Sequence, residues 1–300
     1  MNLSIIGSSK IIEHHIIAAK KVGFKVKAIF SSNKNSKNAQ NLKEKFKIDY
    51  NFKTIGEFIK FSEDKKCSII IAGRVRDNEI FLLKSLKTKN KIFIEKPVFY
   101  ELKKFDKFFK YRAQIFIGYN RLFYKNIKLI ERKIKNQKEI EVFVSCPESS
   151  VKGIKRNTCH IISIIYFLFK DAKIISSNKN GRNFYLRMKC KKGFINLFLN
   201  LNSPENFKIE LNLDKEKIIL SPIERIKIFK GIEKIIVRNQ KIYNPIKTFD
   251  FDENSSSNYK PGFLEQMKLF KKFVKNKKTL VPDMRFAKKI MTTCDLLTNL

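Results

Sequence analysis

The sequence predicts an α/β protein in two parts: an N-terminal doubly wound parallel sheet, then an α+β domain with an open, mainly antiparallel sheet. Two observations carry this. Up to residue 118, short runs that are apolar on both faces alternate with segments of helical periodicity. That is the signature of a parallel sheet covered by helices on both sides. After Gly118 a helix is followed by a succession of strand-like runs without helices between them, as in a sheet with helices on one face. A chain of 300 residues suits two domains of ordinary size, placed at 1–120 and 121–300. The last helices are free to pack back on the first domain.

In the first part, Leu3–Ile6 reads as a strand and Ile11–Val22 as a helix. Phe24–Phe30 is the second strand. Lys37–Phe46 is a polar helix with Ala39, Leu42 and Phe46 on one face, and Tyr50–Phe52 a short strand. Helix Ile55–Phe61, strand Ser68–Ala72, helix Asn78–Leu86 and strand Ile92–Ile94 follow. Helix Leu102–Phe109 and strand Ile115–Ile117 complete a dinucleotide-type, or Rossmann, pattern.

In the second part, Leu122–Lys135 reads as a linking helix and Glu139–Ser145 as a half-exposed strand. A dense apolar helix covers Thr158–Phe169. Strand-like runs then fall at Phe184–Lys189, Phe194–Asn200, Phe207–Leu213, Ile218–Leu220, Ile226–Phe229 and Lys234–Val237. Asn254–Lys260 is a Ser/Asn loop, and helices Pro261–Lys275 and Met284–Leu297 close the chain.

Composition excludes several classes of protein. The longest apolar stretch, Ile161–Phe169, is interrupted by Ser163 and is too short to span a bilayer. Met1–Gly7 reads as a strand and glycine turn rather than a signal peptide. The five cysteines are scattered without CxxC spacing, as reduced core thiols of a cytoplasmic protein would be. The net charge of +36 suggests nucleic acid, but only 11 of the 64 basic residues are arginine and the lysines are spread along the whole chain. Specific phosphate and base recognition favours the bidentate guanidinium fork, so nucleic acid is not the expected partner. The lysine excess follows from compositional bias, and its field would still steer acidic ligands toward the protein.

Four strand exits carry the candidate chemistry, because ligands of open α/β sheets bind at the carboxyl edge. At the first, Gly7-Ser8-Ser9-Lys10-Ile11-Ile12 keeps one glycine of a G-x-G-x-x-G fingerprint, with Ser9 and Ile12 in the other two places. Serines at a helix N-terminus can still offer donors to a phosphate; a plain serine-capped turn would look the same. At the second, Ser31-Ser32-Asn33-Lys34 lacks the acidic residue that holds a ribose 2′-hydroxyl. Ser31, Ser32 and Lys34 suit a 2′-phosphate, which favours NADP over NAD, and a solvated polar loop is the bland alternative. At the third, Ala72-Gly73 permits close approach, with Arg74 and Arg76 beside it. At the fourth, Glu95-Lys96-Pro97 ends a buried strand at a defined turn.

Together with Ile117-Gly118-Tyr119-Asn120-Arg121, Cys159-His160-Ile161-Ile162 and Tyr259–Gln266, these segments resemble the glucose–fructose oxidoreductase / inositol dehydrogenase family (Gfo/Idh/MocA) over nearly the full length. The resemblance implies a Rossmann domain followed by an α/β domain with an open sheet. It implies NADP or NAD as cofactor, a sugar, cyclitol or nucleotide-sugar as substrate, and homo-oligomers assembled through the second sheet. Lys96 would lie beside the nicotinamide and the substrate hydroxyl, with Glu95 orienting it, and His160 would share the proton transfer. Cofactor contacts would come from Gly7, Ser8, Ser9, Lys10, Ile11, Ser31, Ser32, Asn33, Ala72, Gly73, Glu95, Lys96 and Asn120. Arg121, Arg156 and His160 would meet the substrate, and no metal is expected. Of the other histidines, His14 and His15 are assigned to packing or surface roles in the first helix.

One departure matters. The family commonly carries an aspartate four residues before this histidine, where the present chain has Arg156. Either another residue substitutes, or Arg156 binds an acidic substrate, or redox activity has decayed. The expected function is therefore an NAD(P)-dependent oxidoreductase acting on a hydroxyl-bearing carbon. The alternative is a degenerate relative that binds a dinucleotide or sugar-nucleotide without turnover.

Overall fold

The computed structural model describes residues 1–33, 36–256, 259–277 and 282–300. It divides into two units, one of Met1–Phe123 with Gly262–Thr292, the other of Tyr124–Pro261 with Thr293–Leu300.

The first unit alternates strand and helix: β1 (Asn2–Ile6), α1 (Lys10–Lys21), β2 (Lys25–Phe30), α2 (Lys37–Phe46), β3 (Tyr50–Phe52), α3 (Ile55–Asp64), β4 (Ser68–Ile71), α4 (Asn78–Leu86), β5 (Ile92–Glu95), α5 (Lys103–Asp106) and β6 (Ile115–Gly118). The six strands form one parallel sheet in the order β3-β2-β1-β4-β5-β6. Strand order reverses between β1 and β4, the topological switch point. Ile5, Ile69, Ile70, Ile71, Ile92, Phe93 and Ile94 are fully buried, as strands covered on both faces must be. Leu102–Phe109, expected as one helix, shrinks to the single turn α5 followed by a 3₁₀ turn at Phe109–Tyr111. Phe105 and Phe108 are fully buried in this segment and meet Phe99 at ring distances of 5.1 and 5.4 Å.

Late in the chain, helix α9 (Phe263–Val274) lays Phe270 against Phe24, Phe93 and Phe116. It thereby completes the core of the first unit.

The second unit opens with α6 (Lys125–Lys135), shorter than the expected Leu122–Lys135 because Asn120–Phe123 is a 3₁₀ turn. Strand β7 (Ile140–Glu148), turn α7 (Val151–Gly153) and helix α8 (Cys159–Leu168) follow. The remaining strands are β8 (Lys173–Asn180), β9 (Asn183–Cys190), β10 (Gly193–Leu201), β11 (Lys208–Asn212), β12 (Lys217–Leu220), β13 (Arg225–Val237) and β14 (Gln240–Asp252). They form an eight-stranded sheet in the order β14-β13-β12-β11-β7-β10-β9-β8, antiparallel except for the parallel pair β7 and β10. The runs Ile226–Phe229 and Lys234–Val237 are one strand, whose register against β14 shifts around Gly231. Helix α10 (Met284–Thr298) starts in the first unit and ends in the second.

Candidate functional site

In the first unit the candidate residues follow the ends of β1, β2, β4, β5 and β6, so parallel pairing alone gathers them on one edge of the sheet. Gly7 leaves β1 at φ +129°, and its N–H donates to the Phe30 carbonyl at 2.8 Å. A Cβ there would lie 2.5 Å from the Ala72 carbonyl oxygen, so the β1 exit is pressed against the end of β4. The buried backbone, rather than a ligand, already demands this glycine.

Ser8 links two exits. Its hydroxyl lies 3.0 Å from the hydroxyls of both Ser31, after β2, and Ser36, which caps α2 by accepting from the Ala39 N–H. Ser31 is buried and also accepts from the Asn33 N–H, whereas Ser32 and Asn33 are exposed. Lys34 lies outside the described residues. Ser9, the N-cap of α1, makes no side-chain cap bond, so its hydroxyl remains open beside the first turn of a twelve-residue helix. Lys10 and Ile11 begin that helix, and Ile12, in the place of the third fingerprint glycine, is fully buried in the core. Gly73 is exposed after β4 and precedes a 3₁₀ turn, Val75–Asp77; Arg74 and Arg76 flank its start.

At the β5 exit the Glu95 carboxylate has two partners. Its Oε1 lies 2.7 Å from His15 Nε2, and its Oε2 accepts from the backbone N–H of Lys96 at 3.2 Å. Lys96 is half-buried and joined to Pro97 by a cis peptide bond. Gly118, paired with Glu95 in register, has no room for a side chain: a Cβ would meet the Phe93 ring at 2.6 Å and Glu95 Oε1 at 3.2 Å. Asn120, buried, and Arg121, half-buried, lie in the 3₁₀ turn that follows β6. His15, assigned from the sequence to a packing or surface role, is buried, and the carboxylate it meets is what the sequence did not indicate. It shares the spacing of Ile12, Ile16 and Ala19 on the buried face of α1, and a buried imidazole needs a polar partner.

In the second unit His160 is the second residue of α8, half-buried, and its carbonyl accepts the Ser163 hydroxyl at 2.6 Å. Arg156 is exposed on a π-helical turn, Ile154–Thr158, that leads into α8. A carboxylate does organise this segment, though not one at position 156. Glu148, buried at the end of β7, accepts from the Thr158 N–H at 2.9 Å, the Thr158 hydroxyl at 2.6 Å and the Asn157 amide at 3.1 Å. Gly153 makes room for it, since a Cβ there would fall 2.3 Å from Glu148 Oε2. The signal was present in the sequence: Glu148 falls in the same alternating phase as Val142, Val144 and Cys146, the buried one.

Among the described residues no group of histidines, cysteines and carboxylates could hold a metal ion, and no helix is long and apolar enough to cross a membrane.

No protein-family model and no curated protein sequence matches the chain. Solved structures do. The dehydrogenase MviM from Clostridium difficile aligns with a TM-score of 0.78 at 16% identity, over 100% of this chain and 99% of its own. Levoglucosan dehydrogenase, in complex with NADH and levoglucosan, aligns with a TM-score of 0.79 at 10% identity, over 100% of this chain and 96% of its own. The UDP-N-acetylglucosamine 3-dehydrogenase GnnA from Acidithiobacillus ferrooxidans gives 0.74 at 10% identity, over 100% and 97% of the two chains. At such identities the likeness is one of fold.

Proposed function

We propose, from the premise that this chain has the fold of the Gfo/Idh/MocA-type dehydrogenases, that it is an NAD(P)-dependent oxidoreductase acting on a hydroxyl-bearing carbon of a sugar, cyclitol or nucleotide-sugar. The observation that carries the reading is the convergence of Gly7, Ala72-Gly73 and Glu95-Lys96 on the carboxyl edge of the sheet, around its switch point. A dinucleotide would lie along that edge. The open Ser9 hydroxyl and the first N–H groups of α1 can receive a pyrophosphate. No carboxylate follows β2 among the described residues, and exposed Ser32 and Asn33 favour a 2′-phosphate, hence NADP over NAD. Ser31, already bonded to Ser8, contributes less to that choice.

The bound nicotinamide would supply the hydride acceptor or donor. Oxidation of an alcohol also releases a proton from the hydroxyl, and Lys96 and His160 are the groups that would take it. Arg121 and Arg156 would meet an acidic portion of the substrate, such as a diphosphate. Self-association through the second unit's sheet belongs to the same reading; that unit exposes Ile175, Tyr185, Phe198, Ile232, Ile236 and Tyr243.

A second reading, binding without turnover, is favoured by Ser9 and Ile12 in the fingerprint and by Arg156 in place of a carboxylate. Fluorescence enhancement of NADPH and NADH on mixing separates the cases. Failure of both to bind overturns both readings. Binding without turnover on a panel of sugars, cyclitols and nucleotide-sugars selects the second.

A further inference from the structure

We propose that the ribbon formed by the outer halves of β13 and β14 is a peripheral attachment site for an anionic lipid surface. β12 pairs with β13 only as far as Phe229, and past it β13 and β14 pair only with each other among the described residues. Lys230-Gly231 interrupts the register between Phe229 and Ile232, with Gly231 at φ +76°. Such a bulge bends and twists a strand, and beyond it the ribbon overhangs the sheet. At the far end Arg238 and Asn239 both have left-handed backbone, φ +49° and +63°, as a two-residue type I′ turn requires.

Register sorts the side chains of the ribbon. Ile232 lies opposite Pro245, Lys234 opposite Tyr243 and Ile236 opposite Lys241, so these six share one face. It is the more open face. Ile232 is 67%, Ile236 70% and Tyr243 64% exposed, whereas Val237, Ile242 and Ile246 lie between 38% and 44% and Ile235 is half-buried. Large apolar side chains grouped on one exposed face mark an interaction surface, and charge decides what covers it. Within residues 230–247, Lys247 is bound to Asp250, while Lys230, Lys234, Arg238 and Lys241 are opposed by Glu233 alone. A second copy would set this excess against its own like, on a chain of net charge +36. Anionic headgroups complement it. A DNA major groove also admits a two-stranded ribbon, but its polar walls do not match Ile232, Ile236 and Tyr243.

Lys234 and Lys241 lie among the apolar residues, where their stems rest on acyl chains while the ammonium groups reach lipid phosphates. Tyr243 has the same two-ended character. Depth is limited, because both outer edges of the ribbon carry backbone N–H and C=O groups that need water. The ribbon therefore lies in the headgroup layer and not in the hydrocarbon. Ile175, Tyr185 and Phe198, on β8, β9 and β10 at the opposite end of the sheet order, stay available for self-association.

The chain has no tryptophan, so Tyr243→Trp places a single reporter on this face. The full-length variant is mixed with vesicles of phosphatidylcholine containing about 30% phosphatidylglycerol, at about 0.15 M salt. Expected are a blue-shifted emission, quenching by phosphatidylcholine brominated on its acyl chains, and no shift with phosphatidylcholine alone. In that background Ile232→Asn with Ile236→Asn, which keeps every charge, is expected to lower the vesicle partition coefficient ~10-fold or more. Lys234→Gln with Lys241→Gln is expected to lower it by a similar factor. Lys21→Gln with Lys87→Gln makes the same charge change at exposed lysines of the first unit, and is expected to lower it less than ~3-fold. No shift on anionic vesicles, or an equal shift on phosphatidylcholine alone, overturns the proposal. So does undiminished binding by the isoleucine pair or equal weakening by the two lysine pairs, since the attachment would then be the electrostatics of the whole surface. An emission already blue-shifted without vesicles and reddening on dilution would assign the face to a second copy, and a shift with duplex DNA alone would assign it to nucleic acid; either overturns the proposal. The readout needs neither cofactor nor substrate, so it is independent of the proposed function.

Discussion

A methyl group at residue 7 would collide with the Ala72 carbonyl oxygen at 2.5 Å, on a backbone whose φ of +129° side chains rarely adopt. Gly7→Ala is therefore expected to destabilise the protein by about 2–4 kcal/mol in denaturant unfolding, from strain and overpacking together. The importance of that glycine was legible from the sequence, because a glycine directly after a buried strand marks a close backbone approach. The partner of the approach was not, since Ala72 lies 65 residues away, just past the end of β4. His15 shows the same limit more sharply. Its place on the apolar face of α1 follows from helical spacing, but its carboxylate partner is supplied by β5, and only the packing of α1 on the sheet brings the two together.

Among the elements, α8 and the π-helical turn before it depend most on a single side chain. Glu148 gathers three donors from Asn157 and Thr158, all within a turn that delivers Cys159 and His160 to the helix start. Removing the carboxylate leaves those donors without their acceptor, two of them on buried Thr158. Glu148→Ala is expected to cost about 3 kcal/mol, and Glu148→Gln, which keeps an acceptor oxygen, clearly less. Urea titration of both variants checks the ranking. Two strands escaped the sequence reading for a compositional reason. β8 ends in Ser-Ser-Asn-Lys-Asn, and much of β14 is charged or polar. Both are edge strands, with only one neighbour each, so their residues need not be apolar. Conversely, Ile226–Phe229 and Lys234–Val237 looked separate because Lys230-Gly231 interrupts the apolar pattern, whereas in the structure it marks only a register shift.

For the whole molecule, none of the five cysteines is in a disulfide, and all are buried. Burial pushes the thiols of Cys67 and Cys190 up, and those of Cys146 and Cys294 well above their ordinary value. None is expected to react with an aromatic disulfide reagent at neutral pH in the native protein, and all five should react in denaturant. A thiol titrating in the native state would show that its burial is incomplete.

The sequence by itself determined the class of fold, the order of most elements and the strand exits at Gly7, Ser31, Gly73 and Lys96, because hydrophobic period and turn residues are local properties. Tertiary structure alone decided which groups meet there. The Ser8–Ser31–Ser36 hydroxyl cluster joins residues 23 and 28 positions apart, and the His15–Glu95 pair spans 80. The return of α9 to the first unit closes a far longer interval. Such pairings depend on sheet order and on how helices pack, and no local pattern encodes a distance between segments so far apart in the chain.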